Sequence, residues 1–229
     1  LMVFHRLSIV GVANGNQPLY HPEDDNLSLI CNGEIYNHEE LNSKFAFAPT
    51  TDSDCEVILH LYKKFGIEET VRQLDGVFAF VLYDKNTKIM YSARDLYGVR
   101  PSFIGFRGTD VVIASEAKAI GPLCAKILPF PPGSWWSSEQ PNSFNSYKTS
   151  LFRRPTSDTE EQICENINSR LTNAVAKRMM SEREIGCLLS GGLDSSLIAA
   201  LVAKQLPEHK LKTFSIGFPG SVDVEYARK

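Results

Sequence analysis

GCLLSGGLDSSLIAA, residues 186–200, decides the fold of the region around it. A brief apolar run at 185–189 has strand length, and the alanine- and leucine-rich stretch to about Leu206 has helix length. A second strand-like run follows at 213–218, making a βαβ unit. Such units join parallel strands by a right-handed crossover and put the first turn at the carboxyl end of a strand, where α/β sheets bind ligands. Gly191 and Gly192 let backbone N–H groups approach a ligand with no Cβ in the way, and the following helix start offers unpaired donors to phosphate. The loop is neither a Walker A loop nor a dinucleotide fingerprint. Asp194 inside an anion-binding loop makes sense if a cation such as Mg²⁺ accompanies the phosphates. The plain alternative is a strand-to-helix turn with Asp194 or Ser195 as N-cap.

Upstream, Ser157-Asp158-Thr159-Glu160 reads as a capping box opening a helix with Ile163, Ile167, Leu171, Ala174 and Val175 at helical spacing. Before it, 130–150 is dense in Pro, Ser, Asn and Gly and reads as a terminal strand followed by a linker. The boundary is placed there, giving domains 1–150 and 151–229. The first half is dominated by strand candidates at 4–10, 27–31, 77–83, 89–93 and 111–115. Its clear helix spans about 54–65, with Val57, Ile58, Leu61, Tyr62 and Phe65 on one face, a Ser53-x-x-Glu56 capping box and Gly66 as the stop.

Two sites suggest themselves in this half. Asn32-Gly33, between LSLIC and EIYN, is a type I′ hairpin signal, or else a side-chain amide and a backbone N–H forming an oxyanion hole beside Glu34. Arg6 is able to clamp a carboxylate bidentately and Asp54 to hold an ammonium, the pair an amino-acid ligand needs; both also read as surface charges, Asp54 with the added excuse of a helix first turn.

Composition narrows the classes. The chain carries 24 Lys plus Arg against 27 Asp plus Glu, a net charge of −3, which argues against nucleic-acid or polybasic membrane partners. No run approaches the roughly 18 apolar residues of a membrane helix. The five cysteines lack C-x-x-C spacing and point to a reducing compartment, and the five histidines lack metal-ligand spacing. Leu1 is not an initiator Met, and the end follows soon after a strand-like run, so both ends read as cut from something longer.

FHRLSIV at 4–10, NGEIYNHEEL at 32–41, SDCEVILHLY at 53–62, LDGVFAFVLYD at 74–84, ARDLYGVRP at 93–101, ASEAKAI at 114–120, FPPG at 130–133 and GCLLSGGLDSSLIAA at 186–200 together resemble the glutamine-hydrolysing asparagine synthetases. The resemblance implies an α+β N-terminal-nucleophile hydrolase domain, an αββα sandwich with its first strand outside these residues. The start of an α/β PP-loop ATP pyrophosphatase domain would follow. It implies that glutamine is hydrolysed in the first domain and that ammonia travels through an internal tunnel to the second, where ATP has activated aspartate as an AMP ester. Asparagine, AMP, pyrophosphate and glutamate result. By matching position, Arg6 would bind the glutamine carboxylate with Leu7 and Ile9 nearby, Asn32 and Gly33 would form the oxyanion hole in place of a hairpin, and Glu34 and Asp54 would hold the amino group. Ser190, Gly191, Gly192, Asp194, Ser195 and Ser196 would hold pyrophosphate and Mg²⁺, with Asp194 as metal ligand, and Leu189 and Ile216 would flank adenine.

Two departures stand out. The family's nucleophile, an N-terminal cysteine whose own α-amino group serves as base, has no counterpart at Leu1, so glutaminase chemistry is expected to need residues outside these 229. Gly11 stands where the family usually has Asp, an exchange expected to affect a local turn. The expected partners are small molecules, with neither nucleic acid nor membrane; the location is cytoplasmic, and a homodimer is among the assemblies left open. The alternatives are a related adenylating synthetase without glutaminase activity, which the retained Arg6, Asn32, Gly33, Glu34 and Asp54 disfavour, and a catalytically dead glutamine- or nucleotide-binding remnant, which the intact SGGLDSS disfavours.

Overall fold

A short strand, β1 (Leu19–His21), leads into β2 (Asp24–Ile35), which runs straight through Asn32-Gly33. The hairpin reading is overturned by tertiary context. β2 lies antiparallel to β3 (Gly76–Asp84) from Leu27 opposite Asp84 to Ile35 opposite Gly76, so Asn32 and Gly33 face Ala79 and Phe78 in mid-ladder. Sequence-local turn propensity cannot compete with a partner strand along the whole segment.

The computed structural model describes residues 1–147, 156–206 and 211–228, and two units, Leu1–Phe152 and Arg153–Lys229, separate by their internal contacts. In the first, a six-stranded antiparallel sheet is completed by β4 (Ile89–Arg94), β8 (Ser134–Ser137) and β9 (Phe144–Ser146), in the order β1-β2-β3-β4-β8-β9. A second antiparallel sheet holds β5 (Phe103–Arg107), β6 (Asp110–Ala114) and β7 (Lys126–Pro129), in the order β6-β5-β7.

Alternation along the strands builds the layers. Leu27, Leu29, Cys31, Phe78, Phe80 and Leu82 pack with residues of two helices, α1 (His38–Phe45) and α2 (Val57–Gln73). The opposite face contributes Met90, Trp136 and Phe144, which pack with Ile104, Phe106 and Ile113 of the second sheet. Beyond β6 comes the short helix α3 (Ala117–Ile120). This is the αββα sandwich, whose core lies between α1/α2 and the large sheet and again between the sheets.

Several local expectations change. Residues 130–147 hold the expected strand, β8, but a second strand, β9, in place of a linker: Phe130 and Trp136 are fully buried and both strands extend the large sheet, because aromatic burial outweighs the Pro/Ser-rich composition. The remainder of that expected linker, 148–150, lies outside the described residues. Residues 4–10 form no strand despite their β propensity, since no neighbouring strand pairs with them. Gly66 ends the first helical segment as expected, with the non-helical angles φ 76° and ψ 177°; a second segment follows at once, so the kinked α2 runs on to Gln73. Residues 54–56 are a 3-10 turn, and Val57 through Leu61 are all buried, so the helix buries more than one face.

In the second unit, Thr159 caps α4 (Glu160–Lys177) in a capping box with Gln162, two residues later than Ser157. Ile163 and Ile167 stay exposed, while Val175 packs with Leu201 and Val202. β10 (Gly186–Leu188) and β11 (Lys212–Phe214) pair in parallel through α5 (Leu193–Gln205), giving the βαβ unit with a second strand shorter than expected.

Candidate functional site

The first unit contains a cavity of about 1220 Å³ lined by residues 1–10, the far face of β2 and β3, the turn at Ser53–Cys55, and β6 with α3. Arg6, Leu7, Ile9, Asn32, Gly33, Glu34 and Asp54 all line it, so the structure brings together every glutamine-site residue that the sequence singled out.

The chemistry turns on the outer edge of β2. In an antiparallel strand, alternate residues present N–H and C=O to the same edge. Leu29 meets Leu19 of β1 there. Two residues on, β1 has ended and a side chain takes its place: Gln17 Oε1 accepts from Cys31 N at 2.6 Å and its Nε2 donates to Cys31 O at 3.0 Å. At the far end, Ile35 N donates to Asp54 Oδ2 at 2.6 Å. Gly33 lies between them, and the same alternation turns its N–H to this edge at the cavity. Any Cβ there would overlap Val77 O, so only glycine lets the strands approach this closely.

Two carboxylates stand near this donor. Asp54 is buried, and burial pushes its carboxyl above the ordinary carboxylate range, an effect the Ile35 N–H opposes. Glu34 Oε1 accepts from Arg100 Nη2 at 3.2 Å. A donor pair beside two acids suits a group that is an amide or carbonyl at one end and an ammonium at the other. Arg6 is committed differently from a free clamp: its Nη2 donates to Val10 O at 2.9 Å and to Gly11 O, and its Nη1 to Val12 O and Asn16 Oδ1. Leu7 is almost fully exposed, so little of its side chain is held in the cavity. Gly11, at φ 62°, is buried where a Cβ would meet Asp52 C at 2.7 Å; no side chain fits without moving that backbone. Cys55, behind Gly33, has its thiol pushed well up by a hydrogen bond with Cys31 and by burial, which disfavours it as a nucleophile.

Ionising Asp54 inside the protein costs stability, and the sign of that cost gives a prediction. A carboxyl raised in the folded state stabilises the fold below its unfolded pKa and loses that contribution as pH rises through the folded pKa. Asp54→Asn keeps an acceptor for Ile35 N and is expected to raise the thermal midpoint by a few degrees at neutral pH. The gain should vanish in acid, where the wild-type carboxyl is neutral; calorimetry across pH checks this.

Three residues here escape local reading. Gln17 acts as a stand-in strand, and Arg100 fixes Glu34. Asp95, buried, accepts from the N–H groups of Phe78, Tyr97, Val99 and Arg100, shaping the turn that presents Arg100. The Asp95-x-x-Gly98 spacing is a turn signal, whereas the other two depend on long-range pairing.

In the second unit the glycine turn is bound to itself. Ser195 Oγ donates to Gly192 O at 3.1 Å, accepts from Ser190 N at 3.2 Å and lies 2.9 Å from Ser190 Oγ. Gly192 is the N-cap of α5 with no side-chain cap, so neither Asp194 nor Ser195 caps it, and the first-turn donors stay open to a ligand. Asp194 and Ser196 are exposed beside them. Leu189 pairs through N–H with Phe214 O, and Ile216 is fully exposed.

A family model for the glutamine amidotransferase domain matches residues 1–129, and one for asparagine synthase matches residues 166–229. The chain is 40% identical over 255 residues to asparagine synthetase (glutamine-hydrolyzing) of Pongo abelii, covering 99% of this chain and 46% of that protein. It is 41% identical over 239 residues to the protein of the same name from Zea mays, covering 100% and 40%. The chain thus spans less than half the length of these curated relatives. Among solved structures, it is similar to glutamine phosphoribosylpyrophosphate amidotransferase from B. subtilis complexed with ADP and GMP, with TM-score 0.52, 24% identity, and 87% of this chain and 48% of that one covered. It is also similar to an allosteric regulatory enzyme of purine biosynthesis, with TM-score 0.53, 23% identity, and 92% and 50% covered.

Proposed function

This chain belongs to the glutamine amidotransferase domain family, and we propose on that premise that it serves glutamine-dependent asparagine synthesis. Residues 1–150 would form the amidotransferase domain and 151–229 the beginning of the ATP-using one. The observation that carries the reading is the Gly33 N–H, left on the edge of β2 beside Asn32, with Asp54 and Glu34 lining the same cavity.

Attack on a carboxamide carbon builds negative charge on its oxygen. A backbone N–H and the Asn32 amide, already in place, stabilise that charge without reorganisation. Asp54 and Glu34 hold the α-ammonium, and Arg6 takes the α-carboxylate by exchanging loop carbonyls for it. With the nucleophile supplied from outside residues 1–229, net addition of water across the carboxamide C–N bond gives glutamate and ammonia. In the second unit, ATP and the β-carboxylate of aspartate give an acyl adenylate and pyrophosphate, and ammonia displaces AMP to give asparagine. Gly191, Gly192 and the hydroxyls of Ser190, Ser195 and Ser196 receive the pyrophosphate, with Leu189 and Ile216 beside the adenine.

A divalent cation such as Mg²⁺ fits this loop. Among the described residues no three His, Cys, Asp or Glu form a cage for a metal. One exposed carboxylate, Asp194, beside a phosphate loop instead suits a cation that arrives with phosphate oxygens as its other ligands. Bound there, the cation would neutralise phosphate charge while Asp194 holds it in place.

No described helix is long and apolar enough to cross a membrane, and we place the activity in the cytoplasm on small-molecule substrates. The test uses the protein at its full natural length, supplied with aspartate, ATP and either glutamine or ammonium. Both nitrogen sources should yield asparagine, AMP and pyrophosphate. Turnover with ammonium alone would remove the amidotransferase half of the reading, and absence of aspartate-dependent ATP–pyrophosphate exchange would remove the synthetase half.

A further inference from the structure

Glu56 is fully buried, lies two residues after Asp54 and has no place in the site described above. Four donors from two consecutive residues converge on its carboxylate. Oε1 accepts from Thr50 N at 2.9 Å and Thr50 Oγ1 at 3.3 Å; Oε2 accepts from Thr51 N at 2.7 Å and Thr51 Oγ1 at 2.5 Å. His60 Nε2 lies 3.4 Å from Oε1, one helical turn on. Four donors shared between two oxygens suit a carboxylate, whose oxygens both accept, whereas a carboxamide has only one accepting oxygen.

The bonds run onward to the cavity. Thr51 Oγ1 accepts from Ser53 N at 3.2 Å, Glu56 N donates to Ser53 O at 3.1 Å, and Ser53 Oγ accepts from Cys55 N at 3.3 Å. Residues 50–56 are thereby closed into a ring of hydrogen bonds. From this ring Asp54 reaches out to Ile35 N on β2. The ring is also tied to the loop that Arg6 braces, because Asp52 N donates to Asn14 Oδ1 at 2.9 Å.

We propose that Glu56 is a positioning residue for the cavity: by gathering Thr50 and Thr51 on its carboxylate it fixes the turn that aims Asp54 at the ammonium of an amino-acid substrate. The inference rests on the glutamine-site reading and adds to it the group that orients the ammonium acceptor. The ionised state suits the role. Burial raises its pKa, but the nearby His60 and the bonds from Thr51 and Thr50 outweigh that and hold it down to about 2.

The test compares Glu56→Gln, Glu56→Asp and Thr51→Val in the full-length protein, with Asp54→Asn as reference. Thr51→Val deletes one donor to Glu56 and the acceptor for Ser53 N without emptying a buried charge site, so it remains informative where Glu56→Gln folds poorly. Glu56→Gln should raise KM for glutamine at least tenfold, with kcat changed less and the ammonium-dependent rate held within twofold. Glu56→Asp should restore part of the loss, and Thr51→Val should raise KM several-fold. If Asp54→Asn raises KM while Glu56→Gln and Thr51→Val leave it unchanged, the positioning role is refuted and the glutamine site stands. If Asp54→Asn leaves KM unchanged, the glutamine-site reading fails and the inference with it. Equal loss of glutamine- and ammonium-dependent rates in Glu56→Gln and Thr51→Val would show a merely structural part and overturn the proposal.

Discussion

In the full-length protein, Gly33→Ala is expected to slow glutamine hydrolysis about 10²–10³-fold and to lower the thermal midpoint of the first unit by roughly 10 °C, a loss of about 4 kcal/mol. The added Cβ would overlap Val77 O and stand 2.7 Å from Phe78 Cα and 2.8 Å from Phe78 Cβ. Two of these atoms are backbone, so no rotamer change relieves the clash. β2 and β3 are paired along nine consecutive positions, from Leu27 to Ile35, and sit between helices and a second sheet, so relief requires parting the ladder at the site. Parting it re-aims the Gly33 N–H. Loss of one such donor lowers acyl-transfer rates about 10²–10³-fold. Calorimetry and glutaminase rate check the two halves separately. An unchanged midpoint would show that the strands yield freely, and an unchanged rate would remove Gly33 from the chemistry.

Gly191→Ala is expected to reduce ATP–pyrophosphate exchange at least 100-fold with little effect on glutamine hydrolysis. Gly191 has φ 85°, where an L-residue costs about 1–2 kcal/mol. Its Cβ would also overlap Asp223 O, a backbone atom at the start of α6 (Val222–Ala227), and lie 3.1 Å from Ala227 N. The turn and α6 cannot both keep their places, so the donors ahead of α5 are displaced from the phosphates. Steady exchange in this variant would show that the glycine turn does not receive pyrophosphate.

Much of this was legible because it is local. β3 and β4 announce themselves by β-branched and aromatic residues, and the βαβ unit by its glycine turn. What stayed hidden depends on partners distant in sequence. Asn32-Gly33 has hairpin chemistry, yet β3, over forty residues away, holds it extended. Ser53-x-x-Glu56 has the spacing of a capping box, but Glu56 turns back to Thr50 and Thr51, and Ser53 Oγ serves Cys55 N instead. Residues 130–147 read as one terminal strand and then linker because Pro and Ser outnumber the aromatics, although two tryptophans and Phe130 fix where the segment packs. At the candidate site, residue types were readable. Arg6's commitment to loop carbonyls, Gln17 standing in for a strand and Arg100 pairing with Glu34 are products of the folded chain alone.

Adjacent residues of a strand point to opposite faces, and in β8 those residues are Trp135 and Trp136. Trp135 joins the helix-side core beside Tyr91, and Trp136 the core between the sheets. They are the chain's only tryptophans. Indole emission therefore reports both layers of the first unit from neighbouring positions and carries no signal from the second. A melt followed by fluorescence and by heat absorption on the same sample would separate the two units optically, without a label.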